Sequence, residues 1–237
     1  MRLPLIRGLL GATLVGATLS AQALTLSLTG WANGYENMTV GSPNVSTPAG
    51  GFVGTLSGTG TNDANPFYTY CVEITQNFSW ANPLPGYSVV GGVNYFSNVL
   101  VNGNPLAASA STIVDRLGRL FTVLNGVSAP TSSTQSAAIQ LAVWESVYES
   151  GSNALNVSAG QGGFSASSAP AAVVTAANTL LTQASALTRS LYSISVLQNV
   201  DRQDFVLVNR VPEPATLGLV TLALAGVVGA SRRRHKR

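Results

Sequence analysis

The last stretch of the chain, Val211 to Arg237, constrains the fold most strongly because it takes itself out of the folded body. Pro212 and Pro214 flank Glu213 and fix φ twice, so no strand or helix can run through them. The run from Thr216 to Ala230 is uncharged and apolar. As a helix it would be about 22 Å long against a hydrocarbon core of about 30 Å, which makes it marginal as a permanent span. Arg232, Arg233, Arg234, Lys236 and Arg237 follow it. Such a basic cluster is held on the cytoplasmic side of a membrane, which leaves the body on the other side.

The opposite end has a matching character. Arg2 and Arg7 precede an apolar stretch from Leu9 to Leu19, and Ala21-Gln22-Ala23 has the small-x-small pattern of a signal-peptidase site. Cleavage after Ala23 is therefore expected. With this leader in place, the triplet Pro212-Glu213-Pro214, the apolar run and the basic end together resemble the PEP-CTERM sorting signal of Gram-negative bacteria. The resemblance implies that a membrane peptidase, an exosortase, recognises the tail and removes it. The body would associate with the inner membrane transiently and then pass to the cell surface or the extracellular matrix. Residues 1–23 are thus expected to be a signal peptide, 24–210 the exported domain and 211–237 the sorting signal. Signal peptidase and an exosortase are the implied processing partners.

Removing both ends changes the electrostatics. Of 12 Lys and Arg, only Arg116, Arg119, Arg189, Arg202 and Arg210 remain, against eight of the 9 acids. The basic pI of about 9.3 belongs to the segments that are removed. No basic patch with interleaved aromatics is left to bind nucleic acid. The sole histidine, His235, and the sole lysine, Lys236, leave with the tail. A Ser-His-Asp triad, a Cys-His dyad and a histidine metal site are excluded from the body for want of the base or ligand. No cofactor is expected.

The body changes its hydrophobic period along its length. Leu24 to Leu28 and Gly51 to Thr59 alternate apolar and polar residues as strands do, and Gly41 to Gly51 reads as loop. Phe67 to Thr75 is β-branched and aromatic, with Phe67, Thr69, Cys71, Glu73 and Thr75 on one face if it is a strand. Tyr87 to Val90 and Tyr95 to Val101 are weaker strand candidates. From Ser111 to Asn125 the period becomes helical: Ile113, Val114, Leu117, Leu120, Phe121 and Leu124 form one stripe, Asp115, Arg116 and Arg119 lie opposite, and Asn125-Gly126 is a C-cap. A second helix spans Thr134 to Ser150 and a third runs from Pro170 to about Ala186. Strands at Leu191 to Leu197 and Asp204 to Asn209 close the body. The expected class is α+β: an antiparallel sandwich or barrel-like body with a helical insert of about three helices, plus an N-terminal signal helix and a C-terminal hydrophobic helix.

Two residues ask for an explanation. Cys71 is the sole cysteine of an exported chain and has no intramolecular partner. Gln140 lies in a helix that is apolar nearly all round, and a buried amide needs partners. In one reading both are core residues, the cysteine a small hydrophobe and the glutamine hydrogen-bonded, in an inert structural or binding component of a biofilm or exopolysaccharide matrix. In the other, Tyr70-Cys-Val-Glu and Gln140-Leu-Ala-Val-Trp-Glu resemble the Cys and Gln motifs of bacterial thioester domains. That resemblance implies an internal thioester between Cys71 and Gln140, with ammonia lost. Trp144 would be a shielding wall, and Glu73 and Glu145 acids beside the motifs. A target amine or hydroxyl on a cell or polysaccharide would open the bond once. Turnover catalysis is not expected in either reading. Glu145 and Glu149 stand i and i+4 on a helix, which describes a solvated edge better than an acid pair for hydrolysis.

Overall fold

The computed structural model describes residues 24–41, 44–58, 64–76, 79–80, 83–101, 104–158 and 162–211. In chain order the elements are β1 (Leu24–Trp31), β2 (Glu36–Gly41), β3 (Val45–Ala49), β4 (Phe52–Ser57), β5 (Ala64–Thr69), β6 (Leu84–Gly91), α1 (Gly92–Asn98), β7 (Leu100–Val101) and β8 (Asn104–Pro105). They continue with α2 (Ala110–Val123), α3 (Ser133–Tyr148), β9 (Ser165–Ser167), α4 (Ala171–Ser185), β10 (Tyr192–Gln198) and β11 (Phe205–Arg210). The signal helix, Ala23, the Pro212-Glu213-Pro214 triplet and the C-terminal apolar run lie outside the described residues. Among those described, no helix is long and apolar enough to cross a membrane.

The main sheet is six-stranded and antiparallel, in the order β11-β10-β6-β1-β4-β5. Alternation drives it: Leu24, Leu26 and Leu28 of β1 and Phe52 and Leu56 of β4 point into the core while their neighbours do not. The sheet then curls until its edges meet. Just beyond β5, Cys71 pairs with Phe205 at the start of β11; Val206 N donates to Tyr70 O at 3.0 Å and Val72 N to Asp204 O at 3.1 Å. The body is therefore α+β with a nearly closed, barrel-like sheet. Gly54 is required where β4 crosses β1, since a Cβ there would stand 2.0 Å from the Ser27 carbonyl oxygen.

The helices pack over this sheet. In α2 the expected stripe is buried through Ile113, Leu117, Leu120 and Phe121. Its start is capped by Ser109, which accepts from Thr112 N at 3.2 Å. Its end is closed by Gly126 N donating to Phe121 O and Asn125 N to Thr122 O, with both Asn125 and Gly126 at positive φ. In α3 every residue from Ser136 to Tyr148 is buried. A smaller sheet, β3-β2-β9, completes the body.

Four expectations are corrected. Gly41 to Gly51 is not a loop but carries β3, which pairs with β2 and admits Pro48 because it is an edge strand. Phe67 to Thr75 does not continue as a strand: β5 ends at Thr69, where the chain leaves β4 and turns onto β11, so Cys71 and Glu73 do not share one strand face. Tyr95 lies in helix α1, with Gly92, Tyr95 and Phe96 buried at helical spacing, so the described residues hold four helices. Arg116, expected opposite the apolar stripe, is buried.

Candidate functional site

At the barrel seam the main chain of Cys71 is left facing away from β11, because the ladder bonds there are made by its neighbours Tyr70 and Val72. Helix α3 supplies what the missing strand would have. Gln140 Oε1 accepts from Cys71 N at 2.9 Å, and Gln140 Nε2 donates to Cys71 O at 2.8 Å. Both residues are buried, and the amide has a partner at each end. The two stretches singled out by sequence are thus brought together in the core. Trp144, four residues on, shares the Gln140 face of α3 and is buried. Its Nε1 has no hydrogen-bond partner in the structure, which marks a polar atom held in an apolar wall.

The Cys71 thiol is pushed well above its ordinary range by burial, and further by the negative charges of Asp204 and Glu73. It is a thiol at neutral pH, not a thiolate. Glu73 and Asp204 are themselves raised, each chiefly by burial. The Tyr95 hydroxyl joins them, 2.9 Å from Glu73 Oε1 and 2.7 Å from Asp204 Oδ2. The seam closure brings Asp204 there, since it immediately precedes the residue paired with Cys71. Neither Tyr95 nor Asp204 was singled out by sequence.

Glu145 belongs to a different place. It turns away from Cys71 toward the segment after α3, accepting from Asn156 N at 2.6 Å through Oε1, while Oε2 has no hydrogen-bond partner in the structure. Burial raises its pKa to about 8. Glu149 accepts from Ser150 N, Asn153 Nδ2, Gly163 N and Phe164 N. Arg116 donates to Glu149 O at 2.9 Å and Ser150 O at 2.6 Å. Both glutamates are buried, which corrects the reading of a solvated edge. Glu149 ties one loop together through four donors. Among the described residues no group of three or more His, Cys, Asp and Glu could hold a metal ion.

Chemically, a cysteine thiol and a glutamine amide form a thioester if the sulfur attacks the amide carbon and nitrogen leaves as ammonia; the contacts between Cys71 and Gln140 here run through the Cys71 main chain. The Cys71 N–H already donates to the amide oxygen, where negative charge would develop.

Comparison with known families finds the PEP-CTERM protein-sorting motif at residues 210–234. No curated protein and no solved structure matches the chain.

Proposed function

Starting from a C-terminal PEP-CTERM protein-sorting motif, which implies export and sorting to the cell surface by an exosortase, we propose that the body is a thioester module that attaches covalently to a surface nucleophile. The observation that carries this reading is the Gln140 amide held by two hydrogen bonds against the Cys71 main chain in a sealed core. Sulfur adds to the Gln140 carbonyl carbon, the oxygen is stabilised by the Cys71 N–H, and the amide nitrogen departs as ammonia. The product is an activated acyl group, kept from water by the buried surroundings and the Trp144 wall. An amine or hydroxyl of a neighbouring cell or polysaccharide then takes the acyl group, forming an amide or ester and releasing the Cys71 thiol. The reaction occurs once per molecule, so no turnover is assigned. Exosortase removal of the tail and a transient inner-membrane stage belong to the same proposal.

Intact mass tests it. The exported protein is expected to be lighter than its sequence by one ammonia. Its thiol is expected to be unreactive even after unfolding until hydroxylamine is added, and Cys71→Ala should restore the full mass. A mass equal to the plain sequence, with one thiol titrating on unfolding, overturns the reading. One observation favours the alternative, an inert structural or binding component of the matrix. The same two hydrogen bonds complete the pairing of Cys71, and its thiol is held protonated, as a purely structural core would have it.

A further inference from the structure

A cleft of about 270 Å³ opens where the end of α2, the turn that follows it, the start of α3 and the last turns of α4 meet beside Tyr70. Ile139 and Leu180 give it an apolar wall. Polar groups that the fold leaves unused stand around that wall. Gln135 Oε1 accepts from Thr131 N and from Thr131 Oγ1 at 2.8 Å, which fixes the amide and leaves Nε2 as an unused donor. Gln183 reaches the cleft from α4, and its side-chain amide makes no hydrogen bond among the described residues. In the turn after α2, the main chain of Val127, Ser128 and Ala129 is likewise unpaired among the described residues. Tyr70 differs from these in its burial. It is 2% exposed, yet its hydroxyl has no hydrogen-bond partner among the described residues. A buried hydroxyl without a partner is costly, and this residue lines the cleft, where an entering polar group can pair with it.

Charge and size restrict what can enter. None of the described residues that line the cleft is charged. An ion would give up its water there without meeting a counter-charge, so a neutral ligand is selected. The volume falls just below the range of about 300–1,000 Å³ typical of pockets for drug-sized molecules, which leaves room for a single small ring. Donors and acceptors around an apolar wall match a ring with hydroxyls on its rim and C–H groups on its faces. We propose that this cleft binds one neutral pyranose sugar. Each sugar hydroxyl donates once and accepts, as the groups here require. Gln135 Nε2 and the N–H groups of the turn after α2 donate to sugar oxygens, Gln183 both donates and accepts, and the Tyr70 hydroxyl pairs with a sugar hydroxyl. Ile139 and Leu180 cover a C–H face. The inference goes beyond the thioester reading and stands whether or not that bond forms.

Titration of the isotope-labelled, exported protein with glucose, galactose, mannose and N-acetylglucosamine, followed by nuclear magnetic resonance, tests it. At least one of these sugars is expected to shift the side-chain amides of Gln135 and Gln183 and the main-chain amides of residues 127–129, and to saturate below about 100 mM, the affinity of a few hydrogen bonds. Galacturonate, the same ring with a carboxylate, is expected to bind at least about 10-fold more weakly. Gln183→Ala, at an exposed position, and Tyr70→Phe, which removes only the hydroxyl, are each expected to weaken binding about 5-fold, as the loss of one hydrogen bond does. The Gln183→Ala variant should keep the wild-type thermal midpoint, so that weaker binding there is not a loss of fold. No saturable shift at these amides with any of the four sugars overturns the proposal. So does galacturonate binding as tightly as the neutral sugars, or wild-type affinity in both variants.

Discussion

Gln140 is bonded to the main chain of Cys71, with its amide oxygen on the Cys71 N–H and its amide nitrogen on the Cys71 carbonyl. One side chain thereby does what a paired strand residue does, at the point where the chain leaves β4 for β11. Whatever chemistry follows, this contact holds the seam of the barrel to helix α3.

Gln140→Leu removes both partners and strands a buried N–H and a buried carbonyl. Each unsatisfied group costs about 1–3 kcal/mol, so the loss of stability is expected to be about 2–6 kcal/mol. Gln140→Glu keeps the acceptor for the Cys71 N–H and can donate to the Cys71 carbonyl only as the neutral acid, so it is expected to fall between Leu and wild type at a pH where it holds a proton and to lose that advantage when it ionises. Urea unfolding of the reduced, ammonia-opened protein measures the difference without the contribution of any cross-link.

The two glutamates at the end of α3 contribute to the pH dependence of stability with opposite signs, and the raised Glu73 and Asp204 act in the same sense as Glu145. Glu145 is raised by burial to about 8 from 4.5. The folded state therefore holds its proton more tightly than the unfolded chain, and the stability this gives is full below 4.5 and is lost as pH rises through about 8. The slope is at most about 1.4 kcal/mol per pH unit. Glu149 runs the other way. Burial alone would raise it, but donors from Phe164, Ser150, Asn153 and Gly163 outweigh that and hold it below its ordinary value. Its contribution is present above the ordinary glutamate range and lost as pH falls through the lowered value. Thermal midpoints measured against pH are expected to decline from mildly acidic toward pH 8, and Glu145→Gln should flatten that decline.

Arg116 connects the same corner to α2 by donating to the carbonyls of Glu149 and Ser150. Lysine cannot span both acceptors with the fixed fork of a guanidinium. Arg116→Lys is expected to cost about 1.5–3 kcal/mol, the range for one hydrogen bond from a charged donor. Arg116→Ala should cost more, because two buried carbonyls then lose their partner. Chemical denaturation of the two variants checks the order.

Helices α2, α3 and α4 were legible because their signals are local: the stripe through Ile113, Leu117 and Phe121, the Asn125-Gly126 stop and Pro170 at a helix start need no distant partner. The Cys71–Gln140 pair was legible for a different reason, since an unpaired cysteine and a buried amide each demand a partner wherever they lie. Tyr95 was not. Helix α1 spans seven residues, too few for a period to stand out against aromatic composition that favours strands. The Tyr95–Asp204 contact joins positions 109 apart in sequence and exists only because the sheet closes on itself. Arg116 was misplaced because its long stem reaches from the edge of the polar face to carbonyls just beyond the C-terminal end of α3, which helical phase alone does not show.

Closure of the sheet depends on the approach of β4 to β1, and this makes Gly54 the most sensitive backbone position for the whole seam. A Cβ at Gly54 would meet the Ser27 carbonyl oxygen at 2.0 Å and Leu28 Cα at 2.8 Å. Both are main-chain atoms of the neighbouring strand, so no rotamer change can relieve the contact and the strands must part. Gly54→Ala is expected to destabilise the body by about 3 kcal/mol. It should also loosen the pairing of β5 with β4, and with it the position of Cys71 against Gln140. Hydrogen exchange at the Cys71 and Val72 amides is expected to accelerate in this variant more than at the α2 amides of Leu117 and Leu120, which pack away from the β1–β4 contact. Equal acceleration at both places would mean that the seam has no local stability of its own.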